Sequence, residues 1–348
     1  AGKIGQITKK EHPRVMATIY DVSQLAGVSL ATVSRVMNKN ANVSEKTRQK
    51  VLAAMAQLDY KPNTFAQSLA SNCSNSVGVL VSQLDGPYYG PMMAEIEASL
   101  RAENKHVIIA VGHSNAATEM DSVEFLIGRG CDALILDVEA VSDEYLIELS
   151  QGPTPIVLIN RYIAQISDRC IYLNNELGGY LATEHLLKLG HQQIAYISGP
   201  KNKHDACERL DGHMRALAEH GLAFDPQLCF EGNYKEEGGV DGMRYLFASG
   251  KPFTAVVCAN DQMVSGAISV CLELGMKIPE QLSFVGYDNI PFARYISPKL
   301  TTINNPIHEM GKMAALWLLK NVFKNDIEVM SVFSPELVAR ESAKQLAR

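Results

Sequence analysis

The sequence has little of what a secreted, membrane-spanning or metal-dependent protein needs. Its seven cysteines, at 73, 131, 170, 207, 229, 258 and 271, are odd in number and lack CxxC or CxxxC spacing. That scatter argues against a disulfide framework and a zinc site and fits a reducing compartment, so a cytoplasmic location is expected. No apolar run approaches the ~20 residues that span a bilayer. Lys3, Lys9 and Lys10 are followed by no apolar core, so no secretory leader is expected. The nine histidines show no HExxH or other ligand spacing. Neither G-x-S-x-G nor a phosphate loop occurs, and the glycine pairs at 178–179 and 238–239 are not phosphate loops. No catalytic residue, metal or cofactor is expected, and an enzyme is the disfavoured class.

The 348 residues are 47% hydrophobic and 20% charged, enough for two or three globular domains. The net charge of -6 at first argues against a nucleic-acid partner. Its distribution reverses that. Between residues 14 and 76 the cations are Arg14, Arg35, Lys39, Lys46, Arg48, Lys50 and Lys61, against the acids Asp21, Glu45 and Asp59. Phosphate affinity follows local charge, so a small basic module on an acidic body suffices.

That module has a pattern. Apolar Ile19, Val22, Leu25 and Ala26 fall at helical spacing, with Thr18 as N-cap and Asp21 completing an acidic capping box. Gly27 breaks the helix where a left-handed residue is cheap only for glycine. Ser29 caps a second helix, Leu30 to Met37, with Val33, Val36 and Met37 inward. Helix, glycine turn and capped helix read as a helix-turn-helix. Ser29, Leu30, Ala31, Thr32, Ser34 and Arg35 face outward, small enough at the N-terminal end to approach base edges, with Arg35 able to reach phosphate or guanine. Ser44 caps a third helix ending near Leu58.

The connected set D-V-x-x-x-A-G-V-S-x-x-T-V-S-R-V-x-N, V-S-x-x-T-R, Y-x-P-N and A-x-x-L, from Asp21 to Leu69, resembles the headpiece of the LacI/GalR family of bacterial transcription regulators. The resemblance implies an operator-binding homodimer with Thr18, Tyr20, Ser29, Leu30, Ala31, Thr32, Ser34, Arg35, Asn38 and Asn63 at the DNA. It also implies that residues 63–76 form a hinge that folds on the operator, with Leu69 wedged into the minor groove and Ala66 beside it. The expected domains are an extension or tag over 1–15, a headpiece over 16–62 and the hinge over 63–76.

From Val77 onward, buried β-branched runs alternate with amphipathic helices, which implies a parallel sheet covered on both faces. The theme repeats after Gly178. The expected body is two doubly wound α/β subdomains, 77–174 with 305–333 and 175–304 with 334–343. Leu300–Asn304 is expected to carry the chain back to the first half and 334–340 to return it. The family resemblance makes this the fold of periplasmic sugar-binding proteins, with a ligand between the halves at the strand ends. A sugar site needs charged and amide groups that each take two hydroxyls, plus an aromatic face. The strand ends and following turns offer Ser82, Asp85, Tyr89, Asn160, Arg161, Asp205, Arg209, Tyr234, Asn260 and Asp288. Asp261 reads as an N-cap. The family pattern places effector contacts at Arg209, Asn260 and Asp288, with Asn160 near the ligand and Tyr234 stacking on the ring. Stretches such as V-L-I-N-R, D-R-C-I-x-L and R-Y-x-x-P-x-L-T-T are shared with the family's galactose-responsive members and imply D-galactose or a galactoside as inducer. A corepressor-dependent regulator of the same family and a cytoplasmic sugar-binding protein are the rivals.

Overall fold

The computed structural model describes residues 17–37, 43–61 and 73–346, which cluster into two units divided after Ser74. The positions assigned above to Asn38, Asn63, Ala66 and Leu69 lie outside the described residues.

The first unit holds three helices, α1 (Ile19–Ala26), α2 (Leu30–Met37) and α3 (Glu45–Gln57). Their buried faces are small: Val22 and Ala26, Val33 and Val36, Val51 and Ala54. Leu25, expected inward, is 45% exposed. At one turn beyond Val22 and one residue before Ala26, it sits at the margin of an inner stripe only as wide as those two small side chains. Thr18 and Asp21 form a reciprocal capping box, Thr18 N–H donating to Asp21 Oδ2 at 2.7 Å. The hydrogen bonds from the Thr18 backbone and hydroxyl hold the Asp21 carboxyl below its ordinary range. Gly27 closes α1 at φ 65°.

The second unit is a body of two six-stranded sheets. The first contains β1 (Ser76–Val81), β2 (His106–Val111), β3 (Ala133–Leu136), β4 (Ile156–Ile159), β5 (Cys170–Leu173) and β11 (Val332–Phe333). The second contains β6 (Ile194–Ser198), β7 (Cys229–Glu231), β8 (Ala255–Cys258), β9 (Ser283–Asp288), β10 (Thr301–Asn304) and β12 (Glu336–Val338). The orders are β11-β5-β4-β3-β1-β2 and β12-β10-β9-β8-β6-β7, parallel throughout except for β12 against β10. The central strands are apolar at every position because helices cover both faces, and β3, β4 and β8 are buried end to end. The two parallel α/β subdomains thus have the architecture read from the pattern.

Two details differ from the sequence reading. β5, which the pattern reading passed over, is four residues long and enters from a 3-10 turn (Ala164–Arg169) instead of a helix, so no alternation announces it. β10 does not carry the chain back: it pairs with β9 in the second sheet. The crossing comes after it, at Asn305 and Pro306, and the next helix packs on the first lobe. Among the described residues the chain passes between lobes three times, after β5, after β10 and between β11 and β12.

Two helices of the second lobe, α4 (Asn175–Lys188) and α5 (His204–Glu219), touch backbone to backbone. A Cβ at Gly179 would lie 1.9 Å from the Arg209 carbonyl oxygen, and one at Gly212 would lie 1.9 Å from that of Glu176. The glycines flagged as empty of phosphate-loop character are therefore packing positions, and they set Asn175 beside Arg209.

Candidate functional site

In the helical head, Ser29 caps α2: its Oγ accepts from Thr32 N–H at 3.2 Å and shares a 2.9 Å hydrogen bond with the Thr32 hydroxyl. Thr18, Tyr20, Ser29, Ala31 and Arg35 are exposed, and Leu30, Thr32 and Ser34 are partly so. Tyr20, at 65%, is among the most exposed large apolar side chains of the chain. The face carrying these groups is small and polar at the α2 N-terminus and cationic one turn later. It suits base edges first and phosphate second.

In the body, a cleft of about 660 Å³ opens between the lobes, lined by loops that follow the strands. Nine of the ten sequence candidates line it: Asp85, Tyr89, Asn160, Arg161, Asp205, Arg209, Tyr234, Asn260 and Asp288. Ser82 does not; it is fully buried at the end of β1.

Arg209 is the centre of the second-lobe wall. It is 3% exposed. Its Nη2 lies 3.2 Å from Asp205 Oδ2 and its Nη1 3.6 Å from Asp288 Oδ1. Its Nε donates to Asn175 Oδ1 at 3.0 Å and its Nη1 to the Ala259 carbonyl at 2.7 Å. The guanidinium sits 3.8 Å from the Tyr287 ring centroid. Burial works against its charge, but Tyr234, Asp205 and Asp288 outweigh it and hold the guanidinium protonated. Burial pushes the Asp288 carboxyl up, opposed by Arg209 and by the Asn305 hydrogen bond of 3.2 Å. Tyr234 donates its hydroxyl proton to Asp205 at 2.9 Å.

Several wall residues hold left-handed backbone: His113 (φ 55°), Ser114 (φ 51°) and Asn160 (φ 61°) in the first lobe, and Tyr234 (φ 65°) and Asp288 (φ 96°) in the second. Such backbone costs on the order of 1–3 kcal/mol per residue and aims side chains that a regular strand end leaves elsewhere.

Two roles differ from the sequence reading. Asn260, not Asp261, caps the helix that begins at Asp261: its Oδ1 accepts from Met263 N–H, and its Nδ2 donates to the Tyr234 carbonyl at 2.8 Å. Asp261 is wholly buried one position further on. There it accepts from the Thr302 hydroxyl at 2.5 Å and from Ile290 N–H at 2.9 Å, tying β10 to the cleft floor. The first peptide of the helix turns the Asp261 side chain inward, so the cap falls to its neighbour. Arg161 spends its Nε and Nη2 on Asp143 Oδ1, at 3.1 and 2.6 Å, and is an ion-pair residue as well as a lining one.

Sequence reasoning missed Asp137, Glu139 and Lys203. Lys203 Nζ reaches across from the second lobe to Glu139, at 2.9 Å from Oε1 and 2.7 Å from Oε2, and Ser114 adds a 2.6 Å hydrogen bond to Oε2. The Glu139 loop is itself held by the buried Glu119 carboxylate, which accepts from the N–H groups of Glu139, Ala140 and Val141. Nearer the mouth, Lys235 Nζ lies 3.6 Å from Asp85 Oδ2, an exposed pair. Tyr88, the residue before Tyr89, accepts from Asn160 and Asn305 at 3.2 and 3.3 Å. Asp137 directly follows β3, so the strand-end rule that found Asn160 and Asp288 applied to it as well.

Residues 18–63 match the pattern of the bacterial regulatory proteins of the lacI family, and 183–343 match the periplasmic binding protein-like domain. The HTH-type transcriptional regulator GalR of Escherichia coli strain K12 is 38% identical over 328 residues, which are 94% of this chain and 96% of that protein. The HTH-type transcriptional repressor PurR of Photobacterium profundum is 34% identical over 334 residues, 95% of this chain and all of that one. Among solved structures, the lac repressor dimer bound to operator and the anti-inducer ONPF superposes with a TM-score of 0.85 at 31% identity. That match covers 94% of this chain and 99% of that one.

Proposed function

The chain belongs to the lacI family of bacterial regulatory proteins and is a DNA-binding transcription repressor, and from that premise we propose that a small sugar in the cleft, D-galactose or a galactoside, releases it from its operator. The observation that supports a sugar is the Arg209 wall. There one buried guanidinium, two carboxylates and the Tyr234 ring stand together, with Arg209 also held by Asn175 and the Ala259 carbonyl. Such a wall offers paired acceptors and donors to adjacent hydroxyls. A misplaced hydroxyl leaves a buried group unpaired, which is the physical basis of epimer selection. Support for galactose is the likeness to GalR; the likeness to PurR supports corepression as the second reading.

In this reading, residues 16–62 dock on DNA and 63–76 couple head to body. The lobes, 77–174 with 305–333 and 175–304 with 334–343, close on the sugar. The nine strand-end candidates that line the cleft are its wall, and residues 1–15 take no part. The protein works as a homodimer on a pseudo-palindromic operator, its recognition helices about 34 Å apart, one turn of duplex. The body faces near Tyr88–Leu100 and Gly266–Leu274 pair, which accounts for the exposure of Leu272 and Leu274. Closure of the cleft rotates one lobe on the other and separates the two hinges.

Linkage tests the sign. Coupling is reciprocal, so operator DNA must weaken sugar binding by the factor by which sugar weakens DNA binding. Calorimetric titration of D-galactose, with and without an operator duplex selected from random sequence, is expected to show weaker binding in its presence. Equal affinity removes the induction mechanism, and tighter binding makes the sugar a corepressor. Titrating a panel of hexoses and purines by thermal shift identifies the ligand.

A further inference from the structure

The interlobe cleft lies at the carboxyl ends of the strands. At the amino end of the second sheet there is another cavity, of about 290 Å³. It is lined by the residues that lead into β6, β7 and β8 and by the second half of α5. Ligand pockets run from about 300 to 1,000 Å³, so this one suits a small molecule. Phe224, Leu217, Leu228 and Ile194 make its lining mostly apolar. The charged residues in that lining, Asp225 and Lys251, pair with each other at 3.1 Å. Nothing on the wall therefore favours an ionic occupant.

One polar atom in this lining is uncommitted. His213 is 1% exposed. Its Nδ1 lies 2.8 Å from the Thr183 hydroxyl oxygen, and that hydroxyl donates to the Gly179 carbonyl at 3.0 Å. A hydroxyl has one proton to give, so Nδ1–H donates to Thr183 and Nε2 carries the bare lone pair. Nε2 makes no hydrogen bond among the described residues and opens on the cavity. Tyr196 packs on the ring with centroids 4.6 Å apart, and Phe224 stands at 80° to it. The imidazole is thus held in place before anything binds. Burial pushes its pKa down to about 3, so at neutral pH the ring is an uncharged acceptor.

We propose that this cavity is a second small-molecule site, which takes a neutral aromatic molecule whose ring N–H or hydroxyl donates to His213 Nε2. An acceptor walled by apolar groups rewards a ligand that brings one donor and leaves no further polar atom unpaired. Phe224 and the imidazole supply ring contacts, which favour an aromatic body over an aliphatic one. The site stands whatever the cleft binds. His213 lies four residues after Arg209, so an occupant touches the helix that carries the cleft's central cation.

The test is ligand-observed NMR titration of the full chain with indole and benzofuran, bicycles of one shape, the second with a ring oxygen in place of the N–H. Indole is expected to bind the wild type about fivefold or more tightly than benzofuran, the worth of one hydrogen bond. His213→Phe still offers a ring to Tyr196 and Phe224 and leaves Thr183 donating to Gly179, and it is expected to level the two affinities. Ala223→Trp adds bulk at an exposed position of the lining. It is expected to remove binding of both bicycles while the midpoint of thermal unfolding stays where it is, and it decides the matter should His213→Phe not fold. Equal binding of indole and benzofuran by the wild type overturns the proposal, as does absence of indole binding up to its solubility limit. A preference for indole kept by a folded His213→Phe does the same. Indole binding that survives Ala223→Trp places the molecule elsewhere, the interlobe cleft included, and overturns the proposal while the effector reading stands.

Discussion

The two lobes of the body share a strand order and differ in how they treat buried charge. In the second lobe, Arg209 is matched by Asp205, Asp288, Asn175 and a main-chain carbonyl, and Asp261 by a hydroxyl and an N–H. Among the described residues, none of its buried side-chain polar atoms lacks a partner. In the first lobe, Asp137 Oδ2 and Arg161 Nη1 are buried with none. The second lobe is a finished wall, its geometry fixed before any ligand arrives, which is the condition for selective recognition. In the proposed reading, the first lobe is the half whose electrostatics a ligand changes. Lys203 to Glu139 and Lys235 to Asp85 are the charged contacts that draw one to the other.

The sharpest way to break this contrast is Arg209→Ala. It leaves Asp205 and Asp288 without their cation, and removal of one partner from a buried charge cluster costs about 3–5 kcal/mol. The midpoint of thermal unfolding is expected to drop accordingly and hexose binding to disappear. A variant as stable as the wild type makes the second-lobe network ornamental.

In the first lobe the opposite sign is expected. The Asp137 carboxyl is pushed to about 8 in the folded chain, against an ordinary value near 4 unfolded. Between those values the folded state keeps a proton that the unfolded state has lost. Stability therefore falls as pH rises from about 4 to 8, and above that the loss is complete. Asp137→Asn removes this share and is expected to gain on the order of 5 kcal/mol relative to the wild type when denaturant midpoints at pH 8 are compared with those at pH 4. Asp261 and Asp288, both pushed up mainly by burial, slope the same way and remain in both proteins. Parallel curves for the two proteins would return Asp137 to the satisfied groups.

Asp288→Ala tests whether the finished wall grips the ligand. Loss of hydrogen bonds to a charged group is worth about 1.5–3 kcal/mol, so the sugar concentration that half-releases operator is expected to rise by one to two orders of magnitude. An unshifted release curve takes Asp288 out of the site. The mildest effect is expected outside both lobes. Arg35→Ala is expected to weaken operator binding by about 1–3 kcal/mol in gel-shift titrations at physiological salt. Unchanged affinity there makes the docking face on α2 wrong.

Much of this was legible in one dimension. Capping signals at Thr18, Ser29 and Ser44 and the glycine at 27 fix the three helices, because their partners lie within four residues along the chain. Continuous apolar runs separated by amphipathic helices specify two parallel sheets. A charged or amide residue at the end of such a run is carried to the sheet's open end, which is how Asn160 and Asp288 came to line the cleft. Leu25 was misjudged because periodicity gives the direction of a side chain and not the width of the surface that receives it, and Asp261 because a capping signal does not say which of two adjacent residues takes the cap.

What the sequence by itself determined is each local decision: where helices start, which strands are buried, and that a basic head precedes an acidic body. Only the tertiary structure decided which charges are paired. Arg209 meets Asp288 from 79 residues away, and Lys203 is drawn to Glu139 and not to Asp137. Those pairings depend on distances of a few ångströms between segments remote along the chain, and the energy of a buried charge turns on them.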